Sequence, residues 1–156
     1  MSANWATRTG AVWFALWGLL HVLGAGLQLR ALASAGGPGL TAMIASGLPF
    51  DPAANPVPDP AAAFMGMGAF NLLWIGLLVT GIAVTLNWRN STLGFWLNVL
   101  VVGATDLGLV MFLLTPGVMA WGDGSVGLGL FLLAVAFSGA GRWQSTRVAA
   151  LRLGGA

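Results

Sequence analysis

The amino-acid sequence predicts an all-α fold, an integral membrane four-helix bundle with a long Pro-rich outer loop between helices 1 and 2. Three observations predict it. Four long apolar stretches fill most of the 156 residues. Only 6% of residues are charged, against roughly 25% in an average soluble protein. Mean hydropathy is +0.88, and 24 glycines suit helices that approach closely in lipid, where small residues replace the missing hydrophobic drive. A soluble domain is excluded, and residues 1–156 read as a single four-span transmembrane domain.

Helix 1 is expected at about 10–31, an apolar run bounded by Arg8 and Arg30. Its ~20 residues give ~30 Å of helix, one hydrocarbon thickness. A cleaved signal peptide is the competing reading, with Arg8 as its basic start and Ala33-Ser34-Ala35 as its cleavage site. The run exceeds the ~7–15 residues of a signal core and carries Trp13, Trp17, His21 and Gln28, so a span is preferred. The outer loop, 32–61, holds six of the seven prolines, and Pro56, Pro58 and Pro60 favour extended geometry. Within it Leu40, Met43, Ile44 and Leu48 recur at helical spacing, which predicts a short surface helix. A partly ordered lid is favoured over a plain linker.

Helix 2 is expected at about 62–87, helix 3 at 93–114 and helix 4 at 125–143. The short joins between 2 and 3 and between 3 and 4 make successive helices antiparallel neighbours. Ala62 and Gly66, Ala104 and Gly108, and Ala134 and Ser138 show small-xxx-small spacing. The chain shows no internal repeat, which argues against an inverted-repeat transporter.

Orientation follows the arginines, because basic flanks stay cytoplasmic. Arg8, Arg89, Arg142, Arg147 and Arg152 fall on one side and Arg30 on the other, placing both termini in the cytoplasm and the protein in the cytoplasmic (inner) membrane. Asp51, Asp59 and Asp123 fall in the opposite loops, with Trp88 and Trp143 at the inner interface and Trp121 at the outer. The sequence pI of about 11.3 arises from six arginines and four acids without a basic cluster, so no nucleic-acid partner is expected. The partners expected are the lipid bilayer, a small apolar ligand, and a homo-oligomer or larger membrane complex. Absence of Cys removes disulfides and thiolate chemistry.

Candidate chemistry comes from depth. At ~1.5 Å rise per residue, His21 lies ~16 Å and Asp106 ~20 Å in from the cytoplasmic ends of their spans, while Asn71 lies ~17 Å from the same face. An ionisable group in hydrocarbon is costly and marks a bundle interior or wet cavity. Asp106 and His21 are therefore the candidate catalytic acid and base, with Asn71, Trp17, Trp74, Asn98 and Thr105 as candidate ligand-binding residues. The competing role for these polar residues is helix-to-helix adhesion, worth about 0.6 kcal/mol each. No metal is expected, since one His and one intramembrane carboxylate do not complete a site. Dinucleotide, phosphate-loop and H-E-x-x-H motifs are absent from the sequence.

Gly18-Leu19-Leu20-His21-Val22-Leu23-Gly24, a G-x-x-H-x-x-G in the first span, together with the four-span layout, resembles a group of small bacterial membrane proteins of uncharacterised function. That resemblance implies a fold and brings no activity. In size and layout the chain also resembles the styrene oxide isomerases, four-span enzymes that hold haem between subunits and rearrange epoxides. In that family the haem-ligand His precedes an Asn near the start of span two. Asn71 matches the Asn, but Met65 stands in the place of the His, so the cofactor is unassigned and haem is disfavoured. The function expected first is binding of a small lipid-soluble molecule near mid-membrane, with isomerase-like proton transfer as its chemistry. The alternative is an accessory or assembly subunit of a larger membrane complex, and a small proton-coupled transporter ranks third.

Overall fold

The structure, a computed structural model, describes residues 4–51, 54 and 56–154. It consists of α1 (Trp5–Ile44), α2 (Asp59–Thr85), a 3₁₀ turn (Asn87–Arg89), α3 (Thr92–Leu109) continued by a π turn (Val110–Leu114), and α4 (Trp121–Gly154). No strand occurs among the described residues. Among the described residues four helices are long and apolar enough to cross a membrane, and the chain is a multi-pass membrane protein.

α1 starts at Asn4, whose side chain accepts from the Thr7 N–H at 2.9 Å and so satisfies a free donor of the first turn. The same side chain donates to the Gly141 carbonyl at 2.9 Å, which pins the start of α1 to α4. α1 does not end near residue 31. It runs on to a kink at Gly36 (φ 65°, ψ −159°), a conformation open to a residue without Cβ. Pro38 then stands in the first turn of a second arm, where its missing N–H costs nothing. This arm buries Leu40 and sets Gly37 against Val57 and Ala62.

The outer loop is therefore shorter than expected. Of the 32–61 segment, residues 32–44 and 59–61 are helical, residues 45–51, 54 and 56–58 lie outside helices, and Pro52, Ala53 and Asn55 fall outside the described residues. Leu40, Met43 and Ile44 do lie on a helix, and Leu48 lies beyond its end. The segment after α1 is packed: the Gly47 N–H donates to the Val118 carbonyl at 3.0 Å, and the Ala120 N–H to Ser46 Oγ at 3.1 Å. It covers the α3–α4 connection.

α2 begins at Asp59, earlier than 62, because Asp59 and Pro60 are both suited to a helix first turn. α4 extends past both expected ends, since its polar continuation around Gln144 to Thr146 is helical without being apolar. At this end Arg8 stacks over Trp88 at 5.6 Å, Arg142 over Phe95 at 5.2 Å and Arg147 over Trp143 at 4.0 Å. The Arg152 side chain lies outside the described residues.

α1 lies between α2 and α4 and touches both along its length. Gly18 and Gly76 let α1 and α2 approach: a Cβ on Gly76 would stand 2.6 Å from the Gly18 carbonyl oxygen. Gly10 meets Ala134 and Ser138 of α4 in the same manner, and Gly66 meets Leu32. The third small pair makes no such contact, with Ala104 exposed and nothing within 4 Å of Gly108. Phe14, Trp17, Val79, Ala83, Val102 and Ala134 form the buried core. Gly76→Ala should lower unfolding stability by roughly 1–3 kcal/mol, as overpacking does. Gly81→Ala, with nothing within 4 Å, should leave it unchanged or raised; denaturant titration in detergent checks both.

Candidate functional site

Trp17 is wholly buried on α1 and Asp106 is 2% exposed on α3. The helices are bridged by the indole: Trp17 Nε1–H donates to Asp106 Oδ1 at 3.2 Å. His21, one turn along α1, stacks on Trp17 with ring centroids 3.7 Å apart. Its Nδ1 lies 2.7 Å from the Trp17 carbonyl oxygen. A carbonyl can only accept, so Nδ1 carries the hydrogen and the neutral ring leaves Nε2 as a lone-pair acceptor. Asp106 Oδ2 is buried with no hydrogen-bond partner.

A cavity of about 890 Å³ starts at His21, Thr105 and Asp106 and runs toward the end of the bundle opposite the stacked arginines. Its walls are apolar, with Leu72 and Leu109 among them, and Thr41, Met43 and Ile44 of the α1 arm line its far end with Asp123. Gly127 of α4 keeps the space beside the imidazole open, since a Cβ there would stand 3.2 Å from His21 Cε1. The π turn after Asp106 contributes Phe112 and Leu113 to the lining; single π turns are frequent at functional sites.

The other expected site residues divide. Thr105 lines the cavity, with its hydroxyl donating to the Val101 carbonyl at 2.8 Å. Asn98 is fully buried but lies below the cavity, where its Nδ2 donates to the Val79 carbonyl at 3.4 Å and ties α3 to α2. Asn71 is exposed on α2, and so is Trp74 at 59%, so neither joins the cluster. Depth places Asn71 level with His21; the angle around α2 turns it outward. Sequence reasoning did not find Gly127, one glycine among 24, nor Thr41 and Asp123, which it placed in the outer connections. Gln28 of α1 also lines the cavity.

No protein-family model, curated protein or solved structure matches the chain. No group of three or more potential metal ligands occurs among the described residues. The Met65 sulfur accepts the Thr41 hydroxyl at 3.7 Å, and Asn71 is exposed on α2.

Trp17→Phe would leave both Asp106 oxygens without a donor, a loss of about 1–3 kcal/mol for a buried group. Asp106→Asn keeps an acceptor for the indole and should cost less. Equal stability of Trp17→Phe and the parent in denaturant titration would show that the indole bond contributes nothing.

Proposed function

We propose that the protein binds a small lipid-soluble molecule in this cavity, within the cytoplasmic membrane and with both termini cytoplasmic. One observation carries the reading: about 890 Å³ of largely apolar space is lined at one end by Asp106, which is 2% exposed and has one carboxyl oxygen without a partner. Ligand pockets commonly hold ~300–1,000 Å³ with a few convergent polar groups, and this combination is the form expected of one. A charged or polar atom at such depth is costly unless something satisfies it, and a ligand's polar end would do so. For the isomerase-like chemistry the two acceptors, His21 Nε2 and the Asp106 carboxylate, take a proton from one atom of the ligand, and the group so protonated then serves as the acid that returns it to another. Basic flanks support the orientation, since the arginine–aromatic contacts gather at the end that holds the start of α1 and the later part of α4.

A second reading, the assembly subunit or homo-oligomer, is favoured by Asn71. Its amide is exposed near the middle of an apolar helix, where a neighbouring helix rather than lipid would satisfy it. Met67, Trp74 and Leu78 are exposed at matching positions of the same helix. Because the chain has no Cys, Asn71→Cys offers a lone thiol: a disulfide-trapped dimer would identify a second copy, and exclusive trapping to another protein would identify a larger complex.

Native mass spectrometry of gently purified protein should find a stoichiometric small molecule. Gly108→Leu, which projects into the cavity from a position with nothing within 4 Å, should remove at least nine-tenths of it. A folded Gly108→Leu protein that retains the molecule would overturn the cavity reading.

A further inference from the structure

The polar end of the ligand can be deduced from which hydrogens at the deep end of the cavity are already used. Three side-chain donors stand there, and each is spent inside the protein. The Trp17 indole N–H is on Asp106 Oδ1 at 3.2 Å, and the His21 Nδ1–H is on the Trp17 carbonyl at 2.7 Å. The Thr105 hydroxyl is on the Val101 carbonyl at 2.8 Å. What remains is acceptor capacity: Asp106 Oδ2, buried without a partner, and the lone pair of His21 Nε2. A carboxylate is acceptor-only, and so is the free nitrogen of a neutral imidazole. Gln28, the lining residue on α1 with an amide N–H to give, is seven positions further along, roughly 10 Å nearer the mouth.

Resting on the cavity reading above, we propose that the ligand is an apolar molecule whose polar end donates hydrogen bonds, a hydroxyl or a protonated amine, and that the site rejects ketones and esters. A carbonyl oxygen placed beside Asp106 Oδ2 and His21 Nε2 sets acceptor against acceptor, and the buried groups stay unsatisfied. Sites of this kind discriminate strongly, because the cost of the wrong partner is an unpaired buried polar atom. A hydroxyl has one hydrogen to give to these acceptors, while an ammonium has three and supplies a countercharge for Asp106. No ion pair to Asp106 exists among the described residues.

The test uses the full chain in detergent and three probes of equal length: decan-1-ol, decylamine and decan-2-one, with binding read by native mass spectrometry. The alcohol and the amine should bind at least tenfold more tightly than the ketone. Amine above alcohol identifies the countercharge as the main attraction; alcohol at or above amine identifies the hydrogen bond. Asp106→Asn is the decisive variant, because its shape is kept, one oxygen still accepts from Trp17, and the amide puts an N–H where Oδ2 stood. It should lose the amine and gain the ketone by at least tenfold each. Equal binding of ketone and alcohol to the parent, with both lost in Gly108→Leu, would mean that Oδ2 carries a proton; it would overturn the donor rule and leave the cavity reading standing. Failure of all three probes to bind, with no co-purified molecule, would overturn both.

Discussion

One indole hydrogen bond decides the shape of this protein's interior. α1 meets α2 and α4 backbone to backbone through glycine, but it meets α3 through the length of the Trp17 side chain, whose N–H reaches Asp106. A tryptophan needs a partner for its N–H when buried, and a carboxyl group in hydrocarbon needs a donor. Each thus satisfies a requirement of the other, and the ring between them holds α3 at a distance. Space that side chains of α1 and α3 would fill in a uniformly tight bundle remains open beyond the ring.

The rest of the architecture keeps that space where it is. Asn98 fastens α3 to α2 and Arg142 fastens it to α4 through Thr92, both on the side of Asp106 nearer the start of α3. Past Asp106 the helix changes to a π turn, and the α1 arm folds over from Gly36. Tight packing therefore lies at one end of the bundle and the open interior at the other.

Much of this was legible in the sequence, and what was not has definite causes. The four helices followed from hydropathy alone, which is why the α4 extension beyond Trp143 was missed: its polar helix carries no hydropathy signal. The α1 arm was half visible, as periodicity in Leu40, Met43 and Ile44, while prolines in the same stretch pointed to loop. Pro38 stands in a first turn where it is compatible with helix, a matter of position rather than residue type. His21 and Asp106, which both line the cavity, were singled out by depth because rise per residue is nearly constant. Asn71 and Trp74 share that depth but face outward, since rotation about a helix axis depends on packing that one sequence does not display. Gly127 could not be singled out among 24 glycines.

The π turn has a further consequence for how this wall of the cavity can vary. Gly94, Asn98, Val102 and Asp106 are buried at every fourth position, a spacing that drifts by about 40° per step around an α-helix. In the π turn the Thr115 N–H reaches back five residues to the Val110 carbonyl at 2.9 Å, which is an α-helix with one residue added. The added residue cancels the drift and brings buried Leu114 within about 20° of the Asp106 face. Register here is set by the number of residues rather than by their identity. Apolar side chains of similar size are interchangeable along 110–114, whereas deletion of any one of them swings everything beyond by about 100° and closes the wall with a different face.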